Sequence, residues 1–220
     1  EETGKRSRTI VIYLSDNGAA FPAAKTTLYE PGMALPCIVC NPFLPTRGTT
    51  CDALITWADI TPTILDFAGM RLPESSFHGR SFAPIMHEPS PLGWREEVFA
   101  AHNFHEITNY YPMRVVRSKR YKLIWNIAWK LDYSFARDLW ESASWRAVVR
   151  DGADRFGART VEAYRHRPQF ELYDLETDPN EVNNLAQDPA YQPLVQSFIE
   201  KLKQFQQQTK DPWLHKWTYE

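Results

Sequence analysis

Asp16 and Asn17 stand side by side in TIVIYLSDNG, residues 9–18, where a β-branched apolar run ends. A carboxylate and an amide carbonyl are hard oxygen donors, suited to Ca²⁺ or Mg²⁺. Gly18 follows and lets the backbone turn sharply after them. The same residues also suit an Asx turn that closes a strand, so Asp-Asn-Gly alone leaves both uses open. Two donors cannot hold calcium, which takes about 6–8 oxygens. A metal here needs ligands from elsewhere. Cys37 and Cys40 form a C-x-x-C within LPCIVCNP, but no second pair or nearby His accompanies them. They read as buried thiols of a core strand.

The elements that must carry these groups follow from periodicity. Residues 9–14 predict a buried strand, central in an α/β sheet. In open parallel sheets ligands gather beyond the carboxyl ends of strands, which is where Asp16 and Asn17 stand. Residues 35–40 predict a second strand, and Thr61-Pro62 a helix capped by Thr61 and ended by Gly69. The pattern then changes. EEVFAAHNF and MRVVRSKRYKLIWN predict antiparallel strands with a turn near Ser118-Lys119, and FELYDLE another. Asp188-Pro189 opens a helix with Leu194, Val195, Phe198, Ile199, Leu202 and Phe205 on one face. Residues 127–168 show no usable periodicity. The expected division is an α/β part at 1–95 and an α+β part at 96–220.

Composition sets the class. The 220 residues are 43% hydrophobic and 14% aromatic, with eight Trp, enough for a packed core. A net charge of −2 argues against nucleic acid as a partner. No apolar run is long enough to span a membrane. Three cysteines define no disulfide framework. The opening EETGKRSR reads as a fraying helix end just before a strand, so the chain is expected to begin mid-protein. Arg114, Arg117, Lys119, Arg120 and Lys122 form a basic run that a hairpin would spread over two faces. Contact with a polyanionic chain is the sharper alternative. Trp125, Trp129, Tyr133, Trp140 and Trp145 fit core packing better than sugar stacking.

The ordered series SDNG, Lys25, LYEPG, LPCIVCNP, ADITPTILDFAG and HGRSFAPIM, closed by FELYDLETDPNEVNNLA, resembles the C-terminal half of sulfatases of the alkaline-phosphatase-like superfamily. HEITNYYPMRVV and TKDPW are similar to the sulfamidase group, the N-sulfoglucosamine sulfohydrolases. The resemblance implies an α/β fold: part of the sulfatase core, then a small α+β subdomain with an antiparallel sheet and a C-terminal helix. It implies hydrolysis of N-linked sulfate from glucosamine of heparan sulfate or heparin, with an O-sulfatase or a phosphodiesterase-like hydrolase as alternatives. A noncatalytic glycan-binding or packing module is the alternative of another class. By resemblance, Asp16 and Asn17 are metal ligands for Ca²⁺, shared with residues outside this chain. Lys25 stands where sulfatases place a catalytic, sulfate-binding cation, usually Arg in sulfamidases, and Lys lacks the planar fork. His105 and Glu106 match a pair that lines the sugar pocket.

The family nucleophile is a formylglycine made within C/S-x-P-x-R. Cys40-Asn41-Pro42-Phe43-Leu44 lacks the Arg and lies on the wrong side of the DNG segment, so the nucleophile is expected outside this chain. The chain alone is expected to be inactive. Implied partners are a sulfated glycosaminoglycan and an N-terminal sulfatase portion, with a homodimer as an open option. The family is exported or lysosomal, and the absence of any N-x-[ST] sequon favours a bacterial periplasm or secretion.

Overall fold

The computed structural model describes residues 2–70, 73, 76–106 and 109–219. In chain order its principal elements are β1 Val11–Leu14, α1 Glu30–Met33, β2 Cys37–Cys40, α2 Ile60–Phe67, β3 Glu97–His105, β4 Asn109–Ser118 and β5 Tyr121–Asn126. They continue with α3 Arg137–Trp140, α4 Ala143–Asp151, β6 Arg155–Phe156, β7 Arg159–Thr160, α5 Val161–Arg165, β8 Phe170–Asp174 and α6 Gln192–Thr209. Two units divide the chain, residues 1–13 with 37–98 and residues 14–36 with 99–220. The second boundary falls near the expected 95, but residues 14–36 join the later unit rather than the first. Leu28 and Tyr29 are the cause, since both are buried in the later unit's core.

In the first unit, β1 and β2 pair as a two-stranded sheet. Within this segment the strands are not covered: Val11 is 53% exposed, Tyr13 63% and Ile38 61%. One neighbouring strand covers an edge but neither face, so apolar side chains stay open to solvent. The cysteines are correspondingly not buried, and all three are free thiols. The helix near residue 60 begins earlier than Thr61. Thr56 and Asp59 form a reciprocal capping box around a 3₁₀ turn, Trp57–Asp59, that leads into α2. Asp59 is fully buried and takes a two-pronged Arg95 contact at 2.8 and 2.9 Å plus the Arg80 N–H at 2.8 Å. That set of donors, rather than the Thr61-Pro62 signal, fixes the helix start. Gly69 does end it, with φ +75°.

The second unit is built on a four-stranded sheet in the order β3-β4-β5-β8. β4 and β5 run antiparallel with Val115 opposite Ile124, and β5 and β8 with Leu123 opposite Leu172. Alternation along the strands sends residues to two different cores. Met113, Val115, Ile124 and Tyr173 pack with Leu28, Tyr29 and the aromatic segment 133–164. Val116, Leu123, Trp125 and Leu172 pack against α6 through Val195, Phe198, Ile199 and Leu202. Burying each of those four helix residues contributes about 1.5–3 kcal/mol. Phe205 continues the stripe and stacks on Phe99 at 4.3 Å.

Residues 127–168, unreadable by periodicity, fold around an aromatic cluster. Phe135 lies 4.5 Å from Trp145 and 5.0 Å from Tyr164, centroid to centroid. Arg167 is buried beside them, 3.6 Å from the Tyr133 ring centroid. Of the five aromatics weighed for sugar stacking, Trp125, Tyr133 and Trp145 are core, while Trp129 and Trp140 are 37% and 56% exposed.

Candidate functional site

Asp16 and Asn17 are exposed at the tip that follows β1. The Asn17 N–H donates to Asp16 Oδ1 at 3.0 Å, and Ser15 Oγ donates to the Asn17 carbonyl at 2.8 Å. This is a compact turn that presents oxygen donors outward. Their chemistry suits a hard cation. Their number does not, because no group of three or more His, Cys, Asp or Glu that could hold a metal occurs among the described residues. The remaining ligands of any calcium must come from outside this set.

The loop after the tip folds back on itself. The Lys25 N–H donates to the Ala19 carbonyl at 3.1 Å, which folds the Lys25 backbone onto the second residue after Asn17. Gly18 makes the closure possible: a Cβ there would lie 2.6 Å from the Pro31 carbonyl oxygen and 3.0 Å from the Ala24 carbonyl carbon. Ala23 and Thr26, on either side of Lys25, hold left-handed φ values of 59° and 62°. Non-glycine residues adopt that region at a cost, and such strain persists only where surroundings enforce it. Here two buried tyrosines enforce it. Tyr164 Oη accepts the Ala23 N–H at 3.1 Å, and Tyr133 Oη donates to the Thr26 carbonyl at 2.9 Å and pairs with Thr26 Oγ1 at 2.7 Å.

Lys25 Nζ contacts Asp138 Oδ2 at 2.5 Å. That hydrogen bond holds the Asp138 carboxyl below its ordinary range. Arg137, the preceding residue, bonds Glu141 at 2.9 Å. Its pKa is raised, first by the hydrogen bond to Glu141. Glu106 has φ +57°, and His105 Nε2 lies 3.8 Å from Glu106 Oε1. Asn109 Nδ2 donates to the Phe135 carbonyl at 2.8 Å and ties this connection to the same segment. Lys25 and Asn109, which follows the His105-Glu106 pair by three residues, are thus both bound to the segment 135–138.

Asp138, Arg137, Tyr133 and Tyr164 were not among the residues singled out for the site. They lie in the stretch without periodicity, and no motif marks them. The basic run is not an open patch. Arg114 pairs with Asp211, Arg117 with Glu30, Arg120 with Asp174, and Lys122 with Glu30 and Glu181, while Lys119 is engaged as well. A 1050 Å³ cavity in the first unit, bordered by Cys37, Cys40, Cys51 and Phe82, contains none of the candidate residues. Its charged lining is limited to Arg6 and Arg47, with no acid–base pair.

Comparison with known proteins agrees with the sulfatase pattern. The family described as N-sulphoglucosamine sulphohydrolase, C-terminal, matches residues 23–142 and 152–208, and the chain belongs to that family. N-sulphoglucosamine sulphohydrolase of Homo sapiens is 34% identical over 225 residues, which cover 97% of this chain and 44% of that protein. An ulvan-active sulfatase of Formosa agariphila is 28% identical over 203 residues, covering 91% of this chain and 38% of that protein. The chain thus spans less than half the length of these relatives. A solved structure of a protein in complex with its substrate D-glucosamine-2-N,6-O-disulfate superposes with a TM-score of 0.65 at 21% identity, covering 96% of this chain and 36% of that one. At that identity the likeness speaks for the fold. This segment is the C-terminal portion of a sulfatase.

Proposed function

We propose that the sulfatase carrying this segment hydrolyses N-linked sulfate from glucosamine of heparan sulfate or heparin, by a formylglycine- and calcium-dependent mechanism whose nucleophile lies outside this chain. The observation that carries the proposal is the Lys25–Asp138 contact, in the loop that folds back just after the Asp16-Asn17 turn, with Asn109 bound to the same segment as Asp138. The 34% identity to human N-sulphoglucosamine sulphohydrolase supports the choice of linkage.

Each residue then has a role that its chemistry permits. Asp16 and Asn17 supply two oxygen donors of a calcium site completed by residues outside this chain. Calcium, when bound, offsets negative charge on the sulfate oxygens. Lys25 places an ammonium against the sulfate, whose charge it complements. Glu106 accepts hydrogen bonds from sugar hydroxyls, and His105 donates to a hydroxyl or anionic oxygen. The partners are the glycosaminoglycan and the N-terminal sulfatase portion. The place of work follows the substrate: a periplasm or the secreted space, or a lysosome in a eukaryotic cell. No described helix is long and apolar enough to cross a membrane.

The test is sulfate release by the complete sulfatase from N-sulfated and 6-O-sulfated glucosamine, with and without chelator, for the native protein and Asp16→Ala. The expected result is N-sulfate release that chelator and the substitution both abolish, with calcium content lowered in the variant. Turnover that survives chelation and Asp16→Ala refutes the metal assignment. Release from the 6-O-sulfated sugar alone makes the enzyme an O-sulfatase.

A further inference from the structure

We propose that Asp138 is a positioning residue for Lys25. It accepts one of the three ammonium protons and aims the other two at the substrate's anionic group. This rests on the reading that Lys25 meets the sulfate.

The physical need is specific to lysine. An Arg guanidinium carries its donors in a rigid plane, whereas a Lys ammonium is a point charge on a flexible four-carbon stem. A lysine in such a place requires an external tether to fix its direction. Asp138 Oδ2 stands 2.5 Å from Nζ. Its other oxygen, Oδ1, accepts the Leu139 N–H at 2.9 Å, so the carboxylate is itself oriented. Lys25 keeps 22% of its side chain exposed, and two ammonium protons remain for a ligand.

The backbone is held by the same segment of the fold. Tyr133 and Tyr164 clasp Thr26 and Ala23, the left-handed neighbours of Lys25. Stem and tip are therefore fixed by one stretch, residues 133–164. A solvent-exposed ion pair of this kind adds little to stability, which points away from a purely structural role.

The test uses the complete sulfatase with N-sulfoglucosamine as substrate and inorganic sulfate as inhibitor. Asp138→Asn is expected to raise KM and the sulfate inhibition constant together, about ten-fold, the scale of a lost charge-assisted contact. Melting temperature should not change, and Asp138→Glu should recover part of the loss. In a Lys25→Gln background, Asp138→Asn should add nothing, because the two act as a pair. If Lys25→Gln is impaired but Asp138→Asn is neutral, Asp138 has no positioning role. Tighter sulfate inhibition in Asp138→Asn also overturns the proposal, since the carboxylate would then be competing with the anion. If Lys25→Gln leaves activity intact, the sulfate role of Lys25 falls and this proposal falls with it.

Discussion

Tyr133→Phe isolates the force that keeps Lys25 in place. The phenyl ring preserves the edge-on packing with Tyr111 and Tyr164 and the contact with the Arg167 guanidinium. Only the hydroxyl is lost. Burial raises the Tyr133 pKa, so the hydroxyl is protonated at neutral pH and is a donor. It donates its single proton to the Thr26 carbonyl at 2.9 Å, while its 2.7 Å contact with Thr26 Oγ1 competes with that hydroxyl's own bond to the Lys25 carbonyl. Removal of the hydroxyl weakens the clasp by about 1–2 kcal/mol. Opposing the clasp, Ala23 and Thr26 at φ 59° and 62° cost about 1–2 kcal/mol apiece. The Tyr164 contact to Ala23, about 1 kcal/mol, then faces that strain with only the bonds internal to the loop, such as Thr27 Oγ1 to the Ala23 carbonyl and the Lys25 N–H to the Ala19 carbonyl. The loop should leave its observed conformation, and kcat/KM for N-sulfoglucosamine should fall about five- to thirty-fold, since each 1.36 kcal/mol is a factor of ten. Ala23→Gly removes the steric penalty at one strained position and should restore part of the activity in the Tyr133→Phe background. Turnover unchanged in Tyr133→Phe refutes the clasp. So does a loss of activity that only tracks a lowered melting temperature and that Ala23→Gly fails to relieve.

Two further outcomes concern the fold around the site. Gly18→Ala would push a methyl group to 2.6 Å from the Pro31 carbonyl oxygen, a backbone atom that cannot swing aside. A penalty of about 1–3 kcal/mol with loss of turnover is expected from thermal unfolding and activity measured together. Unaltered values would show that the loop closure tolerates a side chain. For acid stability, Asp211 is the group to follow. Burial pushes its carboxyl up, but hydrogen bonds from Arg114, Trp213 and Gln206 outweigh this and bring it down to about 2. A depressed carboxyl stabilises the fold above its ordinary pKa of 3.8, and that contribution is lost as pH falls through about 2. After allowance for solvent screening it amounts to about 1–2 kcal/mol. Unfolding midpoints from pH 5 to pH 2 should decline less steeply in Asp211→Asn, and equal slopes would contradict the assignment.

Much of the fold was legible because it depends on local periodicity. The strands within EEVFAAHNF and MRVVRSKRYKLIWN and the helical stripe from Leu194 to Phe205 stand where the sequence puts them, although β4 and β5 are buried on both faces and the helix on one. Apolar β-branched residues state what a strand can bury, while the layers that cover it are a tertiary fact, and within this segment Val11 and Tyr13 lie open.

The candidate site divides along the same line. Residue type and order determine that Asp16 and Asn17 form an oxygen-donor turn and that the chain is sulfatase-like. They cannot say what holds Lys25, because Asp138, Tyr133 and Tyr164 are 113, 107 and 141 positions from the atoms they grip. Contacts at such separations depend on how the aromatic segment packs against the sheet, and no short-range pattern records that. The tertiary structure alone makes a flexible lysine into an aimed one, by closing its loop over Gly18, straining it at Ala23 and Thr26, and tying it to a carboxylate from a distant helix.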